Sequence, residues 1–520
     1  MKNKFIILSV LLALLSCNAY EKPDIPEEKP DIDFTLTKRE IADGEAAYST
    51  FYKPTGGATG DPMPFYNEAD KTFYVFYLLE AHQGQRGGIY LTKTKYFATF
   101  TTVAQPAILV GDANTRDQAI GTGSCIKKDN QYHFFYTGFS GAFGDYTQVA
   151  VKATSTNLQN WTKKLNPVMA QAPAGFNPRE FRDPCVYFDD TRNKYVLAVG
   201  GMKNGKAALV RFQSDDLSDW EQIEAIVATT SENPQEFEIQ TDSDIPECPD
   251  IFKMGGKWYM VFSRINRDVH RKTFYRVADN PNGPWRKCNG HETFDGLWLY
   301  AAKTVSDGTD RYISGWASSG QSFNSSNELD WGGMLITHKL AQQADGKLYP
   351  TIVPAVDAEF LKSVEYKDIK RNGTISGSGD SFTITGGKVV FNRNVSSAKI
   401  EMKIDASQAT KNFGIAFAAY ENQEDAYKLT FDLTGNNPYN CPALFMYQRG
   451  KEYNFTPLVV PQNKIFDVKI IIEKSLCVMY INNNVAFTNR ITNLNQNPWM
   501  LFAEEGTVKF SDIKIFKQQQ

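Results

Sequence analysis

The sequence predicts an all-β protein: a five-bladed β-propeller followed by a C-terminal β-sandwich. Three observations lead there. A short strand dense in Tyr, Phe and Val returns five times, about 50 to 65 residues apart, a period that signals stacked or radial units. No long amphipathic helical stretch separates the copies. Beyond about residue 360 the repeat gives way to many short alternating strands. At 520 residues the chain exceeds one ordinary core, so two domains are expected.

The N-terminal segment is read first. Lys2 and Lys4 precede an apolar run, Phe5 to Leu15, that is too short to span a bilayer. It ends in Leu14-Leu15-Ser16-Cys17, which resembles a bacterial lipoprotein signal whose cleavage exposes a Cys for lipidation; a plain secretory peptide is the alternative. Residues 1–16 are thus read as signal peptide and Cys17 as the lipidation site. The protein is expected to be exported and held on a bacterial membrane by acyl chains, at the outer-membrane surface or the periplasmic face. Residues 17–39, rich in Pro and alternating charge, read as an extended linker.

Residues 40–355 carry the repeat. Its Tyr-rich strand appears as Lys71-Thr-Phe-Tyr-Val-Phe-Tyr77, Gln131-Tyr-His-Phe-Phe-Tyr136, Lys194-Tyr-Val-Leu-Ala198, Lys257-Trp-Tyr-Met-Val-Phe262 and Asp310-Arg-Tyr-Ile-Ser314. A second mark keeps the same phase: Asn157 to Trp161, Asp216 to Trp220, Asn280 to Trp285. A third lies before most of the Tyr-rich strands: Asp61-Pro62, Gly123-Ser124, Asp183-Pro184, Cys248-Pro249. Five four-stranded blades fit this pattern, with the first strand of each lining a central axis. An elongated array of sandwiches would leave the third marks far apart. Residues 356–520 alternate apolar and polar along strands such as Ala398–Ile404 and Cys477–Ile481, with Asn482-Asn483-Asn484 as a hairpin turn, the pattern of a sandwich.

Composition narrows the function. The net charge is −3, with no basic field suited to nucleic acid. The six cysteines after Cys17 are widely and irregularly spaced, so free, mostly buried thiols are expected; no Cys-x-x-Cys occurs and the five histidines are scattered, which argues against a zinc site. Neither a metal nor a cofactor is expected.

Three acids stand out by context. Asp61 lies in Gly-Asp-Pro, Asp183 in Arg-Asp-Pro and Glu247 in Pro-Glu-Cys-Pro, each near the start of an inner strand. Each alone reads as a turn residue; three at related phase in a repeat point to one cleft. Cleaving a glycosidic bond needs one ionised carboxylate as nucleophile or base and one protonated carboxyl as acid. Crowding such groups in a partly dry funnel separates their pKa values. Arg182, beside Asp183, is expected to keep that group charged. Trp298 and Trp316 read as cleft walls or as core.

The ordered set Asp61-Pro62, Thr122-Gly123-Ser124, Tyr136-Thr137-Gly138, Arg182-Asp183-Pro184 and Glu247-Cys248-Pro249 resembles glycoside hydrolase family 32, the invertase, inulinase and levanase family. Gly315-Trp316, Trp331-Gly332-Gly333 and Gly346-Lys-Leu-Tyr-Pro350 are similar to it as well. The resemblance implies a retaining hydrolase of β-fructofuranosyl linkages in a fructan or sucrose-like oligo- or polysaccharide. It implies Asp61 as nucleophile, Glu247 as acid/base and Asp183 as transition-state stabiliser, with the Asp61 and Glu247 carboxyls about 5–5.5 Å apart. Ser124 and Arg182 are implied substrate contacts. Two departures stand out: Gly60 replaces the Asn usual before the nucleophile, and Met63-Pro64 replace the Asn-Gly after it. The family's Gln after the first Tyr-rich strand is also not evident in Phe76-Tyr-Leu-Leu-Glu80. Two alternatives remain at this level: an inverting arabinanase or xylosidase like those of family 43, and a non-catalytic carbohydrate-binding lipoprotein.

Overall fold

The computed structural model describes residues 50–54, 57–81, 87–144, 147–228, 245–266, 270–288, 291–318, 331–392, 395, 397–417, 426–491 and 498–518. The signal region 1–16, Cys17, the linker 17–39 and residues 40–49 of the expected propeller lie outside the described residues.

Five antiparallel meanders form a propeller. Blade one comprises Gly57–Asn67, Thr72–Ala81, Gly88–Thr94 and Thr101–Leu109. Blade two comprises Ala119–Lys128, Gln131–Phe139 and Gln148–Ser155, edged by the short Thr162–Lys164 and Ala170–Gln171. Blade three is Phe176–Asp189, Lys194–Lys203, Lys206–Ser214 and Glu221–Val227. Blade four is Glu247–Met254, Lys257–Asn266 and His270–Ala278. Blade five is Tyr300–Ser306, Arg311–Ser318, Gly333–Gln342 and Leu348–Thr351. Every Tyr-rich segment of the repeat is a second strand. Blade four departs from the expected four strands: two isolated bridges, Val277 with Arg286 and Phe274 with Thr293, stand at its outer edge. The segment there carries Pro281 and Pro284, which cannot donate to a ladder.

The second repeat mark is a turn. In blades one to three a hydroxyl on the third strand, from Thr94, Ser155 or Ser214, accepts the backbone N–H three residues on, from Phe97, Leu158 or Leu217. Those apolar residues adopt positive φ, 57°, 63° and 66°, and are buried between blades. Fully burying such a side chain contributes about 1.5–3 kcal/mol, enough to hold a left-handed residue in place.

The innermost strands carry the feature that builds the site. Each has one extra residue against its second strand, at the same height: between Gly60 and Met63, Ile120 and Gly123, Arg182 and Cys185, Glu247 and Asp250, and Tyr300 and Lys303. Such bulges bend a strand and re-aim its side chains. They also correct the third repeat mark, because the blade-two counterpart of Asp61-Pro62 is Gly121-Thr122, two residues before Gly123-Ser124. Just past the first four bulges a side chain takes a backbone N–H from the next blade: Met63 Sδ from Gly123, Ser124 Oγ from Val186, Cys185 Sγ from Ile251, and Asp250 Oδ2 from Thr304. The ring closes where Tyr52 pairs with Leu335 and Thr59 with Gly333.

After the short helix Pro354–Ala358 the chain enters the sandwich, whose longest strand, Trp499–Gln518, pairs along its length with Phe413–Phe417, Ser381–Phe391, Ala398–Ala409 and Phe360–Ser363. Its apolar faces are continuous with the core of the propeller's closing blades. Polar groups fix the contact. Asp295 accepts the N–H groups of Gly296 and Thr488 at 2.6 and 2.7 Å and the Thr488 hydroxyl at 2.5 Å, with His338 Nε2 3.1 Å away. Buried Asn454 of the sandwich accepts the Leu297 N–H at 2.8 Å. The segment pinned in this way, 295–299, delivers Tyr300 to the axis. Replacing Asp295 by Ala strands these buried donors and is expected to cost about 3 kcal/mol or more, measured as a fall in melting temperature.

All six described cysteines are free thiols, four of them buried. Among the described residues no helix is long and apolar enough to cross a membrane.

Candidate active site

The five bulges bring one side chain after another to the axis. Asp61 Oδ2 accepts the Thr122 hydroxyl of blade two at 2.7 Å, and Oδ1 accepts the Trp316 indole N–H of blade five at 2.9 Å. Asp183 of blade three accepts the Cys248 N–H of blade four at 2.9 Å and donates its own N–H to Thr137 Oγ1 of blade two at 2.7 Å. The Cys248 thiol lies 3.7 Å from both Asp183 Oδ2 and Thr122 Oγ1, so blades two and four, which are not neighbours, touch here. Glu247 accepts Arg182 at 2.9 Å through Oε1 and the Tyr300 hydroxyl through Oε2. All five blades therefore meet around the three acids.

The bulge register shows how three acids share one place. Asp61, Asp183 and Cys248 are equivalent and all have positive φ, 37°, 63° and 50°. Left-handed backbone at non-glycine residues stores strain, and it recurs here at the functional positions. Glu247 stands one residue earlier and is equivalent to Arg182 and Tyr300. The two aspartates thus point one way out of their bulges, and the glutamate joins them from the adjoining position.

Burial dominates the electrostatics. It raises the Asp61 carboxyl to about 6, helped by the charges of Asp183 and Glu247 and opposed by the Thr122 and Trp316 donors. Asp183 is also raised, first by burial and then by Glu247; Arg182 opposes the shift without cancelling it. Arg182 thus acts on Asp183 in the expected direction, although burial outweighs it. Its guanidinium is engaged with Glu247 at 2.9 Å and with Glu180 at 2.5 Å, so its hydrogen bonds hold the glutamates and only its field reaches Asp183. Burial and the Glu247 charge push the Tyr300 phenol well up, which keeps it a donor to Glu247. The Cys248 thiol is likewise held protonated by burial beside Asp61 and Asp183.

Ser124, expected at the substrate, sits past the bulge. Its hydroxyl donates to Pro184 O at 3.0 Å and accepts the Val186 N–H, tying blade two to blade three. Trp298 is core, and Trp316 serves both readings, buried yet bonded to Asp61. Tyr300, Thr122 and Arg271, whose guanidinium lies 5.5 Å from the Tyr300 ring and 5.9 Å from that of Trp316, were not singled out by sequence reasoning. Alignment of the repeat on Glu247 instead of Cys248 would have found Tyr300. Among the described residues no cluster of His, Cys, Asp and Glu could hold a metal ion.

A five-bladed propeller with three carboxylates gathered on its axis, fused to a β-sandwich, defines a class of two-domain carbohydrate-active folds. The chain belongs to glycosyl hydrolase family 32: the family's N-terminal domain matches residues 52–350, and its BT1760-like C-terminal domain matches residues 346–515. This places it apart from the family 43 alternative. It is 24% identical to a cell-wall β-fructofuranosidase of Zea mays over 62% of this chain and 57% of that one. It is 22% identical to sucrose-6-phosphate hydrolase of Escherichia coli over 87% and 90% of the two chains. The match spans about half the length of the plant relatives. The fold matches fructan 1-exohydrolase IIa of Cichorium intybus with a TM-score of 0.69 at 17% identity, covering 91% of this chain and 98% of that one.

Proposed function

We propose that this protein hydrolyses β-fructofuranosyl linkages in fructans or sucrose-type sugars with retention of configuration. The observation that carries the reading is the convergence of Asp61, Asp183 and Glu247 from three blades, each with its own donor set. Asp61 attacks the anomeric carbon, its ionised form held by the Trp316 and Thr122 donors. Glu247 protonates the leaving oxygen and later takes a proton from the water that releases fructose. Tyr300 and Arg182 hold its two oxygens in place. Asp183 accepts hydroxyls of the fructosyl ring and favours the positive charge that develops there. The names of the relatives, a β-fructofuranosidase, a fructan 1-exohydrolase and a sucrose-6-phosphate hydrolase, support fructans and sucrose-type sugars as substrates.

Assay of the full chain on sucrose, inulin and levan, beside arabinan and xylan, tests the proposal. Free fructose is expected; release from arabinan or xylan alone refutes it, and no turnover of any sugar favours a non-catalytic binder. A single fructose product marks exo attack and an oligosaccharide ladder marks endo attack. The acid limb of kcat/KM is expected near pH 6, where Asp61 ionises. Trp316→Phe removes a donor that lowers this value, so the limb should move to higher pH; a limb that stays in place dissociates Asp61 from it.

We also propose export and lipid anchoring through Cys17, on the strength of the Leu-Leu-Ser-Cys sequence. Radiolabelled palmitate should enter the wild type and not Cys17→Ser.

A further inference from the structure

We propose that Trp331, reaching across from blade five, supplies the blade-one wall of the sugar pocket, and that Gly60 lacks a side chain so that the indole can stand there. The inference rests on the fructosidase reading for its ligand, the ring of a fructosyl unit. The first residue of the bulge is Gly60 in blade one, Ile120 in blade two, Arg182 in blade three, Glu247 in blade four and Tyr300 in blade five. In blades three to five that residue's side chain enters the acid cluster, Arg182 and Tyr300 both reaching Glu247. Blade one has none, although its position adjoins Asp61.

The space is nonetheless filled. A Cβ on residue 60 would lie 2.1, 2.4 and 2.7 Å from three ring carbons of Trp331, too close for any side chain. Blade closure places the indole. Thr59 pairs with Gly333, and its hydroxyl donates to Gly333 O at 2.9 Å, so the residues before Gly333 run alongside those after Thr59. Gly332 turns the chain with φ 77°, and a Cβ on Gly333 would lie 1.6 Å from Ala317 O. Gly333 lets the third strand of blade five lie close against the second. Trp331 is only partly buried, and its ring centroid lies 6.0 Å from that of Trp316, whose N–H holds Asp61.

An indole in this place offers the C–H face of a sugar ring an apolar surface and excludes water beside the nucleophile. It offers no acceptor to a ring hydroxyl. Trp331 is therefore a specificity-determining residue and Gly60 the residue that admits it.

The test is a mutant cycle on kcat/KM for sucrose and a fructan, with melting temperatures to establish folding. Trp331→Ala and Gly60→Ala are each expected to lose about tenfold or more, as for other small misplacements at a reacting centre. The double variant should be no worse than Trp331→Ala, because both changes remove one indole. Additive losses, or Gly60→Ala with wild-type activity, overturn the proposal; should Gly60→Ala fail to fold, full activity in Trp331→Ala overturns it. A second readout needs no turnover. Free fructose should quench tryptophan fluorescence in the wild type and less so in Trp331→Phe; equal quenching in both, or none in the wild type, also overturns it. Failure of the fructosidase reading shows separately, as a wild type that releases no fructose.

Discussion

Replacing Asp61 by Asn is expected to lower kcat on any fructoside by about 10⁴-fold or more, the scale of losing a nucleophile. The same change should raise the melting temperature at pH 7. The carboxyl titrates at 3.8 when unperturbed and near 6 in the fold. Between these values the folded chain holds a proton that the unfolded chain has released, so wild-type stability falls as pH rises through that window. An amide never ionises and escapes this loss. The gain of Asp61→Asn should therefore be full above pH 6 and absent below about pH 4. Melting curves at pH 4 and pH 7 check it, and they separate loss of chemistry from loss of fold. An inactive variant that is less stable at pH 7 would count against a crowded, destabilising nucleophile.

Glu247→Gln is expected to lower kcat by about 10²–10⁴-fold, the usual contribution of a general acid or base. The loss should depend on the leaving group. A natural fructan needs its departing oxygen protonated, whereas a fructosyl donor with a good leaving group does not, so formation of the covalent intermediate is nearly spared for the second. Added azide, which attacks without a general base, should restore release from the intermediate and yield a fructosyl azide. Steady-state rates on both donors, with and without azide, decide the matter; equal losses on both donors in the presence of azide would remove Glu247 from the acid role. The amide keeps the size of the side chain between Arg182 and Tyr300, so the packing there should survive.

Much of this site was legible in the sequence because catalysis and backbone geometry left marks at the same residues. Asp-Pro and Cys-Pro pairs recur because the bulges of blades one, three and four share a left-handed second residue and a proline third residue that donates no N–H. Glu247 was legible only through its neighbours, since the repeat marks Cys248 and the acid stands one residue before it. Tyr300 was missed because blade five carries Ala301-Ala302 where blades one, three and four carry proline, and nothing local announces a bulge. The family resemblance implies Ser124 as a sugar contact. Its hydroxyl joins two blades, and the sequence holds no sign of which backbone will lie across from it.

The division follows from what each level of order can encode. Alternation, turn chemistry and the repeat period are properties of neighbouring residues, and they alone determined the strands, the five-fold repetition, the change of character near residue 360 and the three candidate acids. Closure of the ring is a property of residues hundreds of positions apart. Only it decided that Arg182 would hold Glu247, that Trp316 would grip Asp61, and that an indole from residue 331 would occupy the place left by Gly60. Charges and ring faces act over a few ångströms, and such distances exist between blades only after the last blade has met the first.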